Sequence, residues 1–276
     1  MFSPDTTNNP KTPAMLLEEA VVAAIDAGLK KKRGEQPARQ YLGASMIGDE
    51  CERKLAYSFH QTPKDDGADF KGTTLRIFDM GHDGEERMAE YLRLAGFELR
   101  THREDGRQFG MSDAGGKFKG HYDGVITGGP VIPGLRYPCI WENKALGDKS
   151  WNDLRKHGLK KSKPTYYAQV QVYMAYEEAE FCLFTALNRD TGEIYVEFVA
   201  FHAVDAQALV DKAVRIIRSE KPEELGKVGK GADDFKCKWC DYRKRCHFVP
   251  ARVETSTPAS DAPSWLRHGS SDHAGQ

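Results

Sequence analysis

Asp123, Glu142 and Lys144 are the residues of this chain whose types and spacing suit chemistry on a phosphate ester. Asp123 lies in Gly120-His121-Tyr122-Asp123-Gly124-Val125-Ile126, and the other two lie in Cys139-Ile140-Trp141-Glu142-Asn143-Lys144-Ala145. Both stretches read as strands. Residues two apart on a strand share a face, so Glu142 and Lys144 project together while Asn143 points to the other side. Two carboxylates suit a hard divalent cation such as Mg²⁺, which keeps waters, one of which can attack a phosphodiester. A lysine beside them can orient that water and offset charge developing on the phosphate. The same three residues also fit a plain cross-strand charge pairing.

Flanking residues extend the set. Gly81-His82-Asp83-Gly84-Glu85-Glu86 places His82 one helical turn from Glu85 and Glu86, on a common face. Downstream, Gln169 and Tyr173 are also one turn apart. Cys237, Cys240 and Cys246 form C-x2-C-x5-C, and Cys51 is the natural fourth ligand, because Cys139 and Cys182 fall inside strand patterns as small buried hydrophobes. Zinc is one reading of such a set, with His247 able to replace Cys51.

An aspartate followed by Glu-X-Lys on the next strand resembles the PD-(D/E)XK nuclease superfamily, with Tyr122 standing where its name has proline. The helix histidine and the Gln-X-X-X-Tyr pair resemble its RecB-like members, and the one-plus-three cysteine pattern resembles the iron–sulfur exonucleases among them, of the AddB and CRISPR-adaptation kind. Stand-alone phage and bacterial proteins share that pattern. The resemblance runs from Cys51 to Cys246. It implies a metal-dependent DNA exonuclease acting at single-stranded ends in recombination, repair or phage DNA processing. Asp123, Glu142 and His82 would bind Mg²⁺ or Mn²⁺, Lys144 would assist the water, and Glu85 or Glu86 would support the metal from behind. Gln169 and Tyr173 would engage the strand, and Cys51, Cys237, Cys240 and Cys246 would hold a 4Fe–4S cluster. The rival readings are a zinc-stapled, non-catalytic nucleic-acid-binding module and a nuclease subunit active only with protein partners in a recombination or CRISPR-adaptation complex.

The elements that must position these residues can be read from periodicity. Helices are expected over residues 15–29, 50–60, 75–94, 165–178 and 205–219, the last capped by Asp205. The first carries Leu16, Leu17, Val21, Val22, Ile25 and Leu29 at amphipathic spacing. Strands are expected over 97–103, 118–127 and 139–145, and 181–187 should pair with 193–201 as a hairpin. These elements make an α/β fold, and the resemblance implies a restriction-endonuclease-like core with a central mixed sheet flanked by helices, plus a helical iron–sulfur lobe from about 45–60 and 230–250. Residues 14–250 would form one nuclease domain between a disordered start, 1–13, and a disordered tail, 251–276.

Bulk properties set the limits. With 276 residues and 39% hydrophobic content the chain can bury one substantial core. Neither a signal peptide nor a membrane span fits the opening residues, which points to the cytoplasm and makes thiolate ligands a better use of six cysteines than disulfides. A net charge of −1 argues against coating nucleic acid by bulk charge. Basic residues gather at 149–163, including Lys156, Lys160 and Lys161, and at 236–245. Each run could neutralise phosphates locally or be solvated surface.

Overall fold

A computed structural model describes residues 11–248. The expected disordered tail and the first ten residues of the expected disordered start lie outside the described residues. The helical part of that start begins earlier than expected. Thr12 Oγ1 accepts from the Met15 amide at 3.3 Å and Pro13 occupies the first turn, so α1 spans Pro13–Gly34. The amphipathic spacing of α1 does not bring it into the core, because no residue of the helix is buried. It packs on α3, Gly72–Leu94, and is tied there by an ion pair between Asp26 and Arg76.

Strand β1, Leu42–Gly43, precedes α2, Glu52–Phe59, whose N-cap is Cys51. After α3 the chain turns at Gly96, whose φ of 87° favours glycine, into β2, Leu99–Arg100, a shorter strand than the 97–103 expected. Strand β3, Gly110–Asp113, went unforeseen. The single strand expected over 118–127 is two: β4, Phe118–His121, and β5, Gly124–Ile126. They belong to different sheets, and the chain crosses between them at Tyr122 and Asp123.

Then come β6, Cys139–Leu146, two short helices within the basic run, α4, Asp148–His157, and α5, Leu159–Ser162, and next α6, Pro164–Tyr176. Strands β7, Phe181–Asn188, and β8, Ile194–Ala200, form the expected antiparallel hairpin. Helix α7, Ala203–Arg218, is capped not by Asp205 but by His202, whose Nδ1 accepts from the Asp205 amide at 3.3 Å. The last described helix is α8, Arg243–Phe248.

The larger sheet has the order β2-β5-β6-β7-β8, with β6 and β7 parallel and its other pairs antiparallel, so it is mixed as expected. The smaller has the order β1-β4-β3. Side-chain alternation along β6 and β7 divides the core. Trp141 and Leu183 face Met88 and Ala89 of α3, whereas Ile140, Cys182, Phe184 and Ala186 face the cluster containing Ala168, Val172 and Tyr173 of α6. The sheet is thus covered by helices on both faces. Helix α3 approaches β6 closely at Gly84, where a Cβ would stand 2.9 Å from the Ala145 Cβ. A buried relay fixes that approach: Trp141 Nε1 donates to Thr185 Oγ1 at 3.0 Å, Thr185 Oγ1 donates to Asn143 Oδ1 at 2.8 Å, and Asn143 Nδ2 donates to the Gly84 carbonyl at 3.4 Å.

Candidate active site

Strand β6 is buried along most of its length and presents Glu142, 1% exposed, beside Lys144, whose Nζ donates to Glu142 Oε1. Asp123 sits just before β5, where the chain leaves the smaller sheet, and Asp123 Oδ2 accepts from the Asn143 amide at 2.7 Å. Since Gly124 is opposite Trp141 in the antiparallel register, the residue before it falls opposite Glu142. Asp123 is 8% exposed. The three residues singled out from sequence therefore meet at one end of the β5-β6 pair.

Glu85 of α3 joins them. Its carboxyl hydrogen-bonds to Asp123, and burial, followed by the Asp123 charge, pushes its pKa up to about 7. Burial, followed again by Asp123, pushes Glu142 up to about 8, and burial also raises Asp123 against the pull of Lys144. Lys144 is held protonated, with the charges of Glu142 and Asp123 outweighing its own desolvation. Three carboxyl groups thus face one ammonium, so near neutrality the cluster retains protons that a divalent cation could replace. A second observation agrees: Glu142 Oε2 is buried and has no hydrogen-bond partner. An orphaned carboxylate oxygen in a cluster of acids suits a cation's donor set. In the arrangement seen, however, no three or more His, Cys, Asp or Glu side chains among the described residues converge closely enough to hold a metal ion.

The other expected residues divide. His82 is exposed on α3 and lines the same cavity as Glu85, Lys144 and Gln169. Glu86 turns into an adjoining cavity with Arg93 and His102. Gln169 and Tyr173, expected on the strand path, are buried behind the acids. Gln169 Nε2 donates to Glu142 Oε1 at 2.8 Å and to the Tyr173 hydroxyl at 2.9 Å. Tyr173 is further enclosed by β4, since a Cβ at Gly120 would come 2.5 Å from its ring. The pair buttresses Glu142, and Tyr173 has no exposed surface to offer DNA.

Lys156, Lys160 and Lys161 are exposed on α4 and α5 but do not line this cavity, and Lys160 is committed to Asp205 at 2.7 Å. Apart from Lys144, the cationic lining comes from Lys32 and Arg33 at the end of α1. Sequence reasoning missed them because a basic run ending a helix is also what the helix dipole favours. It missed Tyr166 too, whose ring lies 5.5 Å from Lys144 Nζ, although Tyr166 is only three residues ahead of Gln169.

The cysteines behave as two classes. Cys51, Cys237, Cys240 and Cys246 line one cavity of about 280 Å³ between the start of α2 and the final segment. Burial raises the Cys237 and Cys240 thiols, and neighbouring thiols of the set add to the effect. His247 Nε2 lies 3.4 Å from Cys237 Sγ. Cys139 and Cys182 are buried in the sheet, away from that set, and burial pushes the Cys139 thiol up to about 11. The lobe is joined by Arg53, which donates to the carbonyls of Leu225 at 2.9 Å and Glu223 at 2.8 Å, and by Asp65, which accepts from the Lys244 amide at 2.6 Å.

No family model and no curated protein matches the chain. Among solved structures it is similar to an alkaline exonuclease, LHK-Exo, from Laribacter hongkongensis, with 13% identity and a TM-score of 0.45 over 71% of this chain and 90% of that one. The same exonuclease in complex with dAMP gives 15% identity and a TM-score of 0.44 over 64% and 86%. A phage-related exonuclease from Haemophilus somnus 129PT gives 13% and 0.41 over 60% and 77%. No helix among the described residues is long and apolar enough to cross a membrane.

Proposed function

We propose that the chain is a divalent-metal-dependent nuclease that hydrolyses phosphodiester bonds of DNA at the Asp123, Glu142 and Lys144 site. The observation carrying this reading is the buried Glu142 carboxylate, which has one oxygen bound by Lys144 and Gln169 and the other unpartnered, beside Asp123 and Glu85. Asp123 and Glu142 would hold Mg²⁺ or Mn²⁺, with Glu85 hydrogen-bonded to Asp123 and His82 at the rim. Such a cation supplies an activated water and neutralises charge on the phosphate. Lys144, protonated and fixed by Glu142, places positive charge where the phosphate gains negative charge. Gln169 and Tyr173 set the Glu142 rotamer, and Asn143 sets Asp123 through its backbone amide. Action from DNA ends follows from the sequence resemblance.

The four thiols lining one cavity are proposed to carry a 4Fe–4S cluster that staples the start of α2 to the C-terminal segment. The contact between His247 and Cys237 supports zinc as the alternative. Metal analysis and visible absorption of anaerobically purified protein separate the two, since only the cluster brings iron, sulfide and colour.

Cleavage of end-labelled DNA with Mn²⁺ or Mg²⁺, comparing wild type with Lys144→Ala, tests the nuclease reading. The wild type should degrade DNA and the variant should be slower by about 10²-fold or more while keeping its lobe metal. An inert wild type, or equal rates, would sink the assignment and leave the non-catalytic binding module.

A further inference from the structure

The cavity at the site has a volume of about 790 Å³, and one wall of it is built by residues to which the hydrolytic chemistry assigns no part. Lys32 and Arg33 come from the last turn of α1, and Ile77 and Phe78 come from α3. Among the described residues neither Lys32 nor Arg33 has a carboxylate partner. Arg33 donates to Gln36 and lies 5.8 Å over the Phe70 ring, which meets Phe78 edge to face at 5.2 Å. Phe78 is 44% exposed and Ile77 45%, both toward the cavity they share with Lys144 and Glu85.

Offsetting the α1 dipole explains basic residues in its last turn. It does not explain why apolar surface from α3 stays open in the same cavity beside them. Unpaired cations next to an exposed aromatic ring complement a nucleotide, whose phosphate is anionic and whose base has a π face. A duplex hides its base faces within the stack, so such a wall suits an unpaired strand.

We propose that α1 and α3 form a platform for a single nucleic-acid strand, with Lys32 and Arg33 holding phosphates and Phe78 stacking a base, so that the strand enters beside Lys144. The platform deepens the nuclease reading and rests on it for the purpose of binding, but binding can be measured without cleavage.

The test is fluorescence anisotropy of the full chain with labelled oligo-dT and with a blunt hairpin duplex, in chelator. The variants are Lys32→Gln/Arg33→Gln and Phe78→Ala, with Lys117→Gln, exposed on the smaller sheet's side, as a control away from the cavity. Each platform variant should weaken oligo-dT binding by about 10-fold, within the range for loss of one stacked base. The double variant should flatten the dependence of log K on log salt by about 1.4, two contacts at ~0.7 each. Lys117→Gln should bind as wild type does, and the duplex should bind more weakly than oligo-dT. Since α1 buries no residue, the double variant should melt as wild type does. Restored affinity in Phe78→Trp would separate stacking from folding. Unchanged oligo-dT affinity in both variants, equal duplex binding, or no binding by wild type overturns the platform. Loss of binding in the variants of a wild type that binds but never cleaves with Mn²⁺ overturns the nuclease reading and leaves the platform standing.

Discussion

Gln169 Nε2 donates to Glu142 Oε1 at 2.8 Å, while the other oxygen of that carboxylate is left without a partner. The amide acts by aiming the carboxylate. Gln169→Leu should therefore weaken the dependence on Mn²⁺ by about 10- to 100-fold in apparent metal affinity. DNA affinity in chelator should not change. A variant that loses DNA binding while keeping its metal dependence would return Gln169 to the strand path.

The acids also make stability depend on pH. Glu142 is pushed up to about 8 and Glu85 to about 7, from an ordinary 4.5, by burial and by the Asp123 charge. A carboxyl whose folded pKa is raised favours the fold while protonated, so its contribution is complete below about 4.5 and is lost as pH rises to about 8. In chelator the melting temperature should fall across that window, and the fall should shrink in Glu142→Gln. Added Mn²⁺ should raise it most near pH 8, where the carboxylates are ionised. Calorimetry at several pH values checks this, and a wild-type profile no steeper than that of the variant would refute it.

Gly84 lets α3 lie on β6. A methyl there would stand 2.9 Å from the Ala145 Cβ, so Gly84→Ala should cost about 1–3 kcal/mol and move Glu85 away from Asp123. Ala145→Gly in the same chain should recover most of the loss. Denaturant unfolding of the four-member cycle reads the coupling, and additive effects would mean that the contact is not the cause.

Cys246→Ser should remove the lobe metal and its visible absorption and lower the melting temperature, whereas Cys139→Ser should leave the metal content unchanged, because Cys139 lies outside the four-thiol cavity. Equal metal content in Cys246→Ser and wild type would sink the four-thiol assignment.

Strands β6 and β7 were legible as short apolar runs bounded by turn residues, since both are buried along most of their length, and α3 was legible because its apolar spacing stops at Gly96. The sheet boundary at Tyr122 and Asp123 was not, since 118–127 alternates as smoothly as one strand and nothing local marks a change of pairing partner. The packing of α1 was not legible for the opposite reason: its periodicity is real, but spacing does not say whether a partner covers the apolar side. Gln169 and Tyr173 were found as a pair beside the site, but their contacts were not legible, because one-turn spacing gives a shared face without saying whether that face meets solvent or a carboxylate.

The crossing at Tyr122 and Asp123 ties the proposed site to the completion of folding. Glu142 and Lys144 are fixed once β6 has neighbours in the larger sheet, but Asp123 is the hinge pin between that sheet and the smaller one, whose β4 pairs in parallel with β1 from far upstream. A chain with only the larger sheet assembled sets Asp123 opposite Glu142 through Gly124, but leaves the segment that leads into it, Phe118–Tyr122, without its strand partners. The wall behind the acids, where Gly120 of β4 meets the Tyr173 ring, is therefore complete only when the two sheets are joined.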